Sequence, residues 1–374
     1  MRIDSLRTYQ IRNLENSSVN FSPGLNYIIG NNGQGKTNII ECLSVLSILR
    51  SFRTARLREI ISWGQKEASL FANIYQTFGD KEIGCVLKDG TRELFVNDNL
   101  VSRARDFIGN LRSVAFTPYD MMTIRGGPSE RRSFLNRILI QKEPIYFEIF
   151  QKFQTALRSK NLLLKENRPD IDKLKTWNEV LVEPSYQIVK ARLDLIEELQ
   201  IRSNKVHKEF AYQDGEISLA LKTNLREKKD DRINMDSVRA LFDQSLAKEI
   251  EMHRSIVGPQ RDDLKILFEG KQFRAYGSQG QTRSILLTLL FSVIEMLEQR
   301  YNESPVILLD DVESELDDAR AVLFLEMVLG GGRQVFITGT HNRHVQGASG
   351  GEEAQFLKVD NGKITPMTPI NRSL

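Results

Sequence analysis

The sequence is poor in the residues that build disulfide scaffolds and zinc sites. It has two cysteines, Cys42 and Cys85, and four histidines among its 374 residues. Two cysteines are too few for a disulfide framework, and we expect them to be reduced, buried thiols. The histidines show no metal-ligand spacing with cysteines or carboxylates. A disulfide-rich secreted protein and a zinc enzyme are therefore both disfavoured.

Long apolar runs and strong net charge are also missing. The first residues, Met1 to Asp4, form no apolar signal segment. The longest uncharged apolar stretch near the C-terminus, 284–294, is shorter than the roughly 20 residues that span a bilayer. We therefore expect a cytoplasmic protein with no membrane partner. The formal net charge is only +3, so any nucleic-acid-binding surface must be a local basic patch.

The most specific feature that is present is a P-loop, GNNGQGKT at residues 30–37, between an apolar strand candidate and an apolar helix candidate. Its glycines let backbone N–H groups approach a polyphosphate, and the following helix N-terminus adds partial positive charge. We expect Lys36 to reach the β- and γ-phosphates of ATP and Thr37 to bind Mg²⁺. A chance glycine turn would not need both flanks. The predicted nucleotide-binding residues are Gly30, Asn31, Asn32, Gly33, Gln34, Gly35, Lys36 and Thr37.

A second strand candidate, 306–309, ends in two carboxylates, Asp310 and Asp311. P-loop folds use acids at such a position to hold Mg²⁺ and the attacking water. We assign Asp310, with Thr37, to the metal and Asp311 to polarising the water, so the predicted catalytic residues are Lys36, Asp310 and Asp311. For an isolated pair we would favour an N-cap that opens the next helix, but the P-loop in the same chain favours the nucleotide role.

A glycine-flanked turn that contains Ser278, Gly280 and Gln281 lies directly before another helix candidate. By itself it fits an ordinary helix cap as well as an anion site. One nucleotide cannot easily use both this turn and the P-loop of the same protomer. We therefore expect a homodimer in which a second protomer supplies this turn, through Ser278, to the γ-phosphate of ATP.

The wide separation of the P-loop from the acidic strand requires an insertion between two halves of one sheet. Strand candidates dominate the first third, and charged stretches with helical periodicity follow from about residue 128. We predict an α/β nucleotide domain of residues 1–110 and 254–374, with a mainly helical lobe at 111–253. Because the charged helices lack sustained heptads, we favour a compact lobe over a long coiled coil.

This order of motifs resembles the ABC-type ATPases and, within them, the RecF family of bacterial recombination and gap-repair proteins. The resemblance covers essentially the whole chain. The segments that carry it are GQGKTN at 33–38, SFRT at 51–54, GP at 127–128 with RRSFL at 131–135, VGP at 257–259 with RDDL at 261–264, SQGQ at 278–281, and LLDDV at 308–312 running into a D-loop-like SELD at 314–317.

The resemblance implies an ABC-type head with a helical second lobe inserted between the two halves of the nucleotide domain. It also implies a weak, DNA-stimulated ATPase that dimerises on ATP and clamps single-stranded, gapped or junction DNA. RecR and RecO are the expected partners, and RecA loading and SOS induction the expected roles. The departures from the family pattern are Asn136, Gln260, Thr282 and Gly339. Gly339 interrupts a usual threonine run, which puts a γ-phosphate-sensing role of Thr338 or Thr340 in question, so slow hydrolysis is expected.

Two arginine clusters could follow a DNA backbone, which would make binding salt-dependent and largely independent of sequence. Either could also be an ordinary solvated surface. The clusters are Arg50, Arg53, Arg56 and Arg58, and Arg125, Arg131 and Arg132.

Three other functions remain open from the residues alone. The ATPase subunit of a transporter is disfavoured by the long separation of the two nucleotide motifs. A nucleotide kinase would not need the turn at Ser278. A scaffold that binds ATP without turnover is compatible with the altered segment at Gly339.

Overall fold

A computed structural model of the chain describes residues 1–54, 56–88, 90–210, 215–226, 233–311, 318–340 and 354–367. The strands are β1 (Arg2–Tyr9), β2 (Ser17–Asn20), β3 (Leu25–Ile29), β4 (Glu67–Tyr75), β5 (Lys81–Lys88), β6 (Thr91–Val96), β7 (Asn99–Val101), β8 (Ser113–Phe116), β9 (Ile217–Lys222), β10 (Asp263–Phe268), β11 (Lys271–Gln272), β12 (Val306–Leu309), β13 (Val335–Gly339), β14 (Gln355–Asp360) and β15 (Lys363–Met367).

The helices are α1 (Lys36–Ile48), α2 (Ala104–Phe107), α3 (Met121–Arg125), α4 (Pro128–Lys142), α5 (Ile145–Leu163), α6 (Ile171–Phe210), α7 (Met235–Glu251), α8 (Phe273–Tyr276), α9 (Gln279–Tyr301) and α10 (Asp318–Leu329). The chain folds into two units, Met1–Met121 with Leu286–Leu374, and Met122–Ile285. The limits expected from the sequence lie earlier in the chain, near residues 110 and 254. The mixture of sheets and helices confirms the predicted α/β class.

Within its described residues, the first unit holds two six-stranded sheets. One has the order β15-β14-β3-β13-β12-β8, and its strands from β14 to β8 run parallel. Its central strands are short and almost wholly apolar, which is typical of parallel strands covered on both faces. The other sheet, β2-β1-β4-β5-β6-β7, is antiparallel throughout. In α1 every residue except Thr37 is buried, so this helix is part of the core.

The second unit combines α4 to α7 with a small antiparallel sheet of order β11-β10-β9. The 40-residue α6 is its longest element and continues through Pro184. Arg192, buried in this helix, donates to the Asp262 carboxylate at 2.6 Å and to the Asn136 side-chain oxygen at 3.0 Å. Asn136 also accepts from the Tyr146 hydroxyl at 2.7 Å. The departure at position 136 therefore supplies a neutral acceptor to a buried polar network.

Among the described helices, one segment, Gly280–Tyr301, is long and apolar enough to cross a membrane by these two criteria. Within the protein, 78% of its apolar window is buried. The core helix of a soluble protein has the same properties, so a single segment of this kind is weak evidence for a membrane span.

Candidate nucleotide site

The P-loop connects β3 to α1, as the sequence predicts. Gly33 has a φ of 80°, in the left-handed region that favours glycine. A Cβ atom on Gly33 would find no other protein atom within 4 Å, so the loop is open at this point. Such an open glycine cradle at the start of a buried helix fits a phosphate group.

Lys36 is the first residue of α1 and is 8% exposed. Its ammonium group donates to the carbonyl oxygens of Gly30, at 2.7 Å, and Asn31, at 3.0 Å. Burial lowers the pKa of Lys36, and the nearby charges of Asp311 and Asp310 act in the opposite direction. The loop thus holds a partly desolvated cation beside the acidic strand, where it can attract a phosphate strongly.

The structure brings Thr37 and Asp310 together, although 273 positions separate them in the sequence. The Thr37 hydroxyl donates to the Asp310 carboxylate at 2.9 Å, and the Thr338 hydroxyl donates to the same oxygen at 2.7 Å. These groups meet because β3, β12 and β13 are parallel and end at one edge of the sheet. A hydroxyl and a carboxylate are oxygen donors of the kind that Mg²⁺ prefers.

Asp310 is buried, and burial raises the pKa of its carboxyl above the ordinary value. Hydrogen bonds from Thr338 and Thr37 lower it in part. No group of three or more histidine, cysteine, aspartate or glutamate side chains forms a metal cluster in the described ranges. Mg²⁺ in phosphate-transfer sites is commonly held by one or two protein groups together with the phosphates and water, so the pair Thr37 and Asp310 fits it.

Asp311 follows directly and has a φ of 51°, an uncommon conformation for a residue other than glycine. Its backbone N–H donates to the Thr338 hydroxyl at 2.9 Å. Residues held in such conformations concentrate at functional sites. The bond to Thr338 fixes the main chain where Asp311 lines the cavity.

A cavity of about 530 Å³ lies beside the P-loop. Lys36, Thr37 and Asp311 line its polar part, while Ile61 and the fully exposed ring of Trp63 provide apolar surface. The volume is within the range of small-molecule sites. A polar part near the P-loop and an exposed aromatic ring suit a nucleotide, with its phosphates and its planar base.

Sequence reasoning missed a cationic group at this cavity. Arg53, one of the arginines that could follow a DNA backbone or be solvated, lines the cavity and donates to the Asn38 side-chain oxygen at 2.6 Å. Arg12, also on the wall, donates two hydrogen bonds to Glu41, at 3.0 and 2.8 Å. Glu41 is buried on α1, and its charge inside an apolar helix is the signal that could have revealed these partners.

In the second arginine cluster (Arg125, Arg131 and Arg132), two members form contacts within their own unit. Arg131 is buried and forms an ion pair with Asp263 at 2.6 Å. Arg132 donates to the carbonyl oxygen of Asp262 at 2.8 Å. Arg125 is the member of this cluster that is exposed. Arg131 therefore does not offer its charge to a DNA backbone.

Ser278, Gly280 and Gln281 lie at the start of α9. The backbone N–H of Ser278 donates to the Gln281 side chain at 3.0 Å, and the Gln281 N–H donates to the Ser278 hydroxyl at 3.2 Å. This reciprocal pair is a helix capping box. The Thr282 hydroxyl donates to the Ser278 carbonyl at 2.7 Å, which gives the departure at position 282 a local role. Ser278 is exposed and open to an external group.

The remaining predicted positions are distributed as follows. Gln260 donates from its side chain to the carbonyl oxygen of Val257 at 2.8 Å. Gly339 ends β13 and pairs with Ile29. Thr340 is exposed. The D-loop-like segment 314–317 lies outside the described residues.

The chain is similar to RecF proteins along almost its entire length. The family model described as the RecF/RecN/SMC N terminal domain matches residues 2–365. A DNA replication and repair protein RecF of Crocosphaera subtropica is 31% identical, with 98% of this chain and 100% of that protein covered. The protein of the same name from Halothermothrix orenii is 33% identical, with 98% and 99% covered.

Solved structures also match over almost the whole chain. The recombination mediator protein RecF in complex with ATPrS, in the RecFOR pathway, matches with a TM-score of 0.87 and 30% identity over 98% of each chain. An Smc head bound to the C-winged helix domain of ScpA matches with a TM-score of 0.55 and 15% identity, again over 98% of each chain. The second likeness shows a shared fold alone; taken together, the RecF structure, the family model and the Smc head show the fold of an ABC-type ATPase head.

Proposed function

Because this chain belongs to the RecF family of proteins with a RecF/RecN/SMC N terminal domain, we propose that it is an ATP-switched DNA clamp for replication and repair. The observation that carries the proposal is the cluster at the end of the parallel strands. There the P-loop, Lys36 and Thr37 border one cavity, and the buried Asp310 accepts a hydrogen bond from Thr37 directly behind its wall. Relatives solved with ATP and with ATPrS support ATP as the nucleotide.

The chain's own groups would divide the work as follows. Backbone N–H groups of residues 30–35 and the Lys36 ammonium bind the phosphates, and Thr37 and Asp310 hold Mg²⁺. When bound, Mg²⁺ supplies positive charge to the phosphate oxygens. Asp311 orients the attacking water, and Arg53 adds a second cation to the cavity wall. Thr338 fixes both aspartates by its two hydrogen bonds.

We expect hydrolysis to be slow and DNA-stimulated. In the conformation described, the Thr338 hydroxyl is bonded to Asp310 and to the Asp311 N–H, so it does not serve a γ-phosphate. Each protomer would then need a contribution from its partner to complete the site. In the proposed homodimer, Ser278, Gly280 and Gln281 of one protomer face the γ-phosphate held by the P-loop of the other.

The partners follow from the family. We propose that the clamp acts in the cytoplasm on single-stranded, gapped or junction DNA. RecR and RecO would be its protein partners, because the solved relatives are described as part of the RecFOR pathway. From membership of the RecF family we also propose that the protein supports RecA loading and SOS induction.

ATP-dependent capture of DNA is the direct test of the proposal. The fluorescence anisotropy of a labelled gapped duplex is measured during titration with the protein, with and without ATP and Mg²⁺, at near-physiological salt. We expect binding to tighten by about 10-fold or more with ATP, since dimer formation doubles the phosphate contacts available to one duplex. Equal binding in both conditions would separate ATP from DNA capture, and no binding in either would reject the clamp for the isolated protein.

Asp310 gives a prediction with opposite effects on stability and activity. Because burial raises its pKa in the folded state, the unfolded chain ionises this carboxyl at lower pH, and the free energy of unfolding falls as the pH rises towards neutral. Asp310→Asn removes the buried charge, so we expect the Tm at pH 7 to rise by roughly 2–4 °C. Phosphate release should fall by about 100-fold or more.

The control for this variant is Asp80→Asn, which changes an exposed aspartate of the same unit. It should alter neither the Tm nor the turnover. A lower Tm in Asp310→Asn would contradict the electrostatic argument. If the unchanged protein released no phosphate while still binding ATP, an ATP-binding scaffold without turnover would replace the ATPase.

A further inference from the structure

The outer side of the P-loop rests on the turn between β14 and β15. The backbone N–H of Gly362 donates to the carbonyl oxygen of Gln34 at 2.9 Å, and the Asn361 N–H donates to the Gln34 side-chain oxygen. Gly33 and Gly35, on either side of Gln34, line the cavity, whereas the Gln34 side chain meets the turn. Gln34 therefore joins the loop to a segment more than 300 positions away in the sequence.

The same turn packs against the loop that carries Asn13. Gly362 has a φ of 84°, and a Cβ atom at this position would lie 1.9 Å from the Asn13 carbonyl oxygen. The carbonyl oxygen of Gly362 accepts from the Glu15 N–H at 3.0 Å. Only glycine fits so close an approach in this conformation.

Asn13 closes the connection on the other side. Its side-chain amide donates to the Gly33 carbonyl at 3.0 Å, and its side-chain oxygen accepts from Asn38 at 2.6 Å. At the start of the loop, a Cβ on Gly30 would lie 2.3 Å from the Val359 carbonyl oxygen. The glycine-rich loop is thus packed against Val359 at its start and hydrogen-bonded in its middle to Asn13 and to residues 361–362, while Asn13 also bonds the first turn of α1 through Asn38.

We propose that the end of β14 and the β14–β15 turn, together residues 359–362, are a positioning element for the P-loop, with Gln34 as the positioning residue that connects them. Glycine-rich loops are intrinsically mobile, and a phosphate cradle works best when its N–H groups are already oriented. The turn supplies this order from the C-terminal end of the described chain. The expected effect of these residues on ATP affinity rests on the proposed function. Their expected effect on the order of the loop rests only on the contacts described above.

Two matched glycine variants test the element. Gly362→Ala forces the turn away from Asn13, whereas Gly79→Ala places alanine at another positive φ in the same unit with no atom near the added carbon. Both variants carry the backbone cost of alanine in this conformation. We expect the Kd for a fluorescent ATP analogue to rise by about 10-fold or more in Gly362→Ala alone, because small displacements of binding groups have large effects. An equal Kd in both variants would overturn the proposal.

Gln34→Ala is the second variant, in case Gly362→Ala does not fold. It removes only the side-chain acceptor and keeps the turn and its glycine. From the loss of one hydrogen bond we expect the Kd to rise by about 3- to 10-fold, with Tm within about 2 °C of the unchanged protein. If the Kd of Gln34→Ala lies within two-fold of that of the original protein, Gln34 does not position the loop.

Hydrogen exchange without nucleotide separates this inference from the function on which it rests. The amides of residues 31–35 should exchange about 10-fold faster in Gly362→Ala than in Gly79→Ala, because the loop loses its support. Equal exchange would reject the positioning element, whatever the nucleotide titration shows. An unchanged protein that binds no ATP analogue would instead reject the proposed function, while the exchange comparison would still decide on the turn.

Discussion

Lys36→Met should lose ATP binding by about 100-fold or more, because a charged hydrogen bond to each of two phosphates is removed. Methionine retains the length and much of the volume of the lysine side chain, so the packing at the first turn of α1 changes little. The ammonium is also partly desolvated by the loop, which strengthens its attraction for an anion. The measurement is an equilibrium titration with a fluorescent ATP analogue.

The control for this prediction is Lys88→Met on β5. Lys88 is exposed and pairs with Glu93 at 2.9 Å, and neither residue lines the cavity. Lys88→Met should leave the Kd for the ATP analogue unchanged. ATP-dependent dimerisation, measured by sedimentation, should be lost in Lys36→Met and retained in Lys88→Met. An affinity within two-fold of the unchanged protein would mean that Lys36 does not hold the phosphates, and the site would need another cation.

Local sequence was sufficient to predict the parts of the site that are contiguous in the chain. The P-loop pattern carries its own strand and helix, so the positions of Gly33 and Lys36 follow from residues 25–49 alone. The acidic strand was equally clear, because four apolar residues followed by two carboxylates suit a buried parallel strand. The parallel sheet topology then explains why Thr37 and Asp310 meet at one edge.

Contacts between distant segments could not be predicted in the same way. Charge alone leaves Arg53 open to DNA contact or to solvation because it does not reveal a partner, and only the fold brings Arg53 to Asn38 and the cavity. Charge leaves the same two alternatives open for Arg131, and the fold instead pairs it with Asp263 in the interior of its unit. Nothing in the pattern around Gly362 indicated that it supports the P-loop.

Ser278 is the residue for which the two interpretations of one pattern both remain useful. Its capping box with Gln281 shows that the turn stabilises the start of α9. A cap does not exclude a second role, since Ser278 is exposed and the first N–H groups of a helix can bind an anion. A test of the dimer must therefore separate the loss of a cap from the loss of an intermolecular contact.

Ser278→Arg should abolish ATP-dependent dimerisation while leaving the ATP affinity of the protomer within about two-fold of its original value. The added side chain introduces bulk and charge where the partner's nucleotide would dock, but the P-loop lies elsewhere in the sequence and keeps its own contacts. Loss of the cap should also lower stability by about 1 kcal/mol. Sedimentation with and without ATP measures the dimer, and titration with the fluorescent analogue measures the affinity.

Asn234→Arg provides the matched control, because Asn234 caps α7 in a similar reciprocal box with Ser237 and is also exposed. It should cost a similar free energy of unfolding and leave the dimer intact, since no nucleotide role is assigned to that helix. If both variants dimerised with ATP, Ser278 would be a helix cap alone and the shared site would be rejected. If both failed to dimerise, destabilisation of the second unit would explain the loss. Only a dimer that is lost in Ser278→Arg and kept in Asn234→Arg supports a nucleotide shared between two protomers.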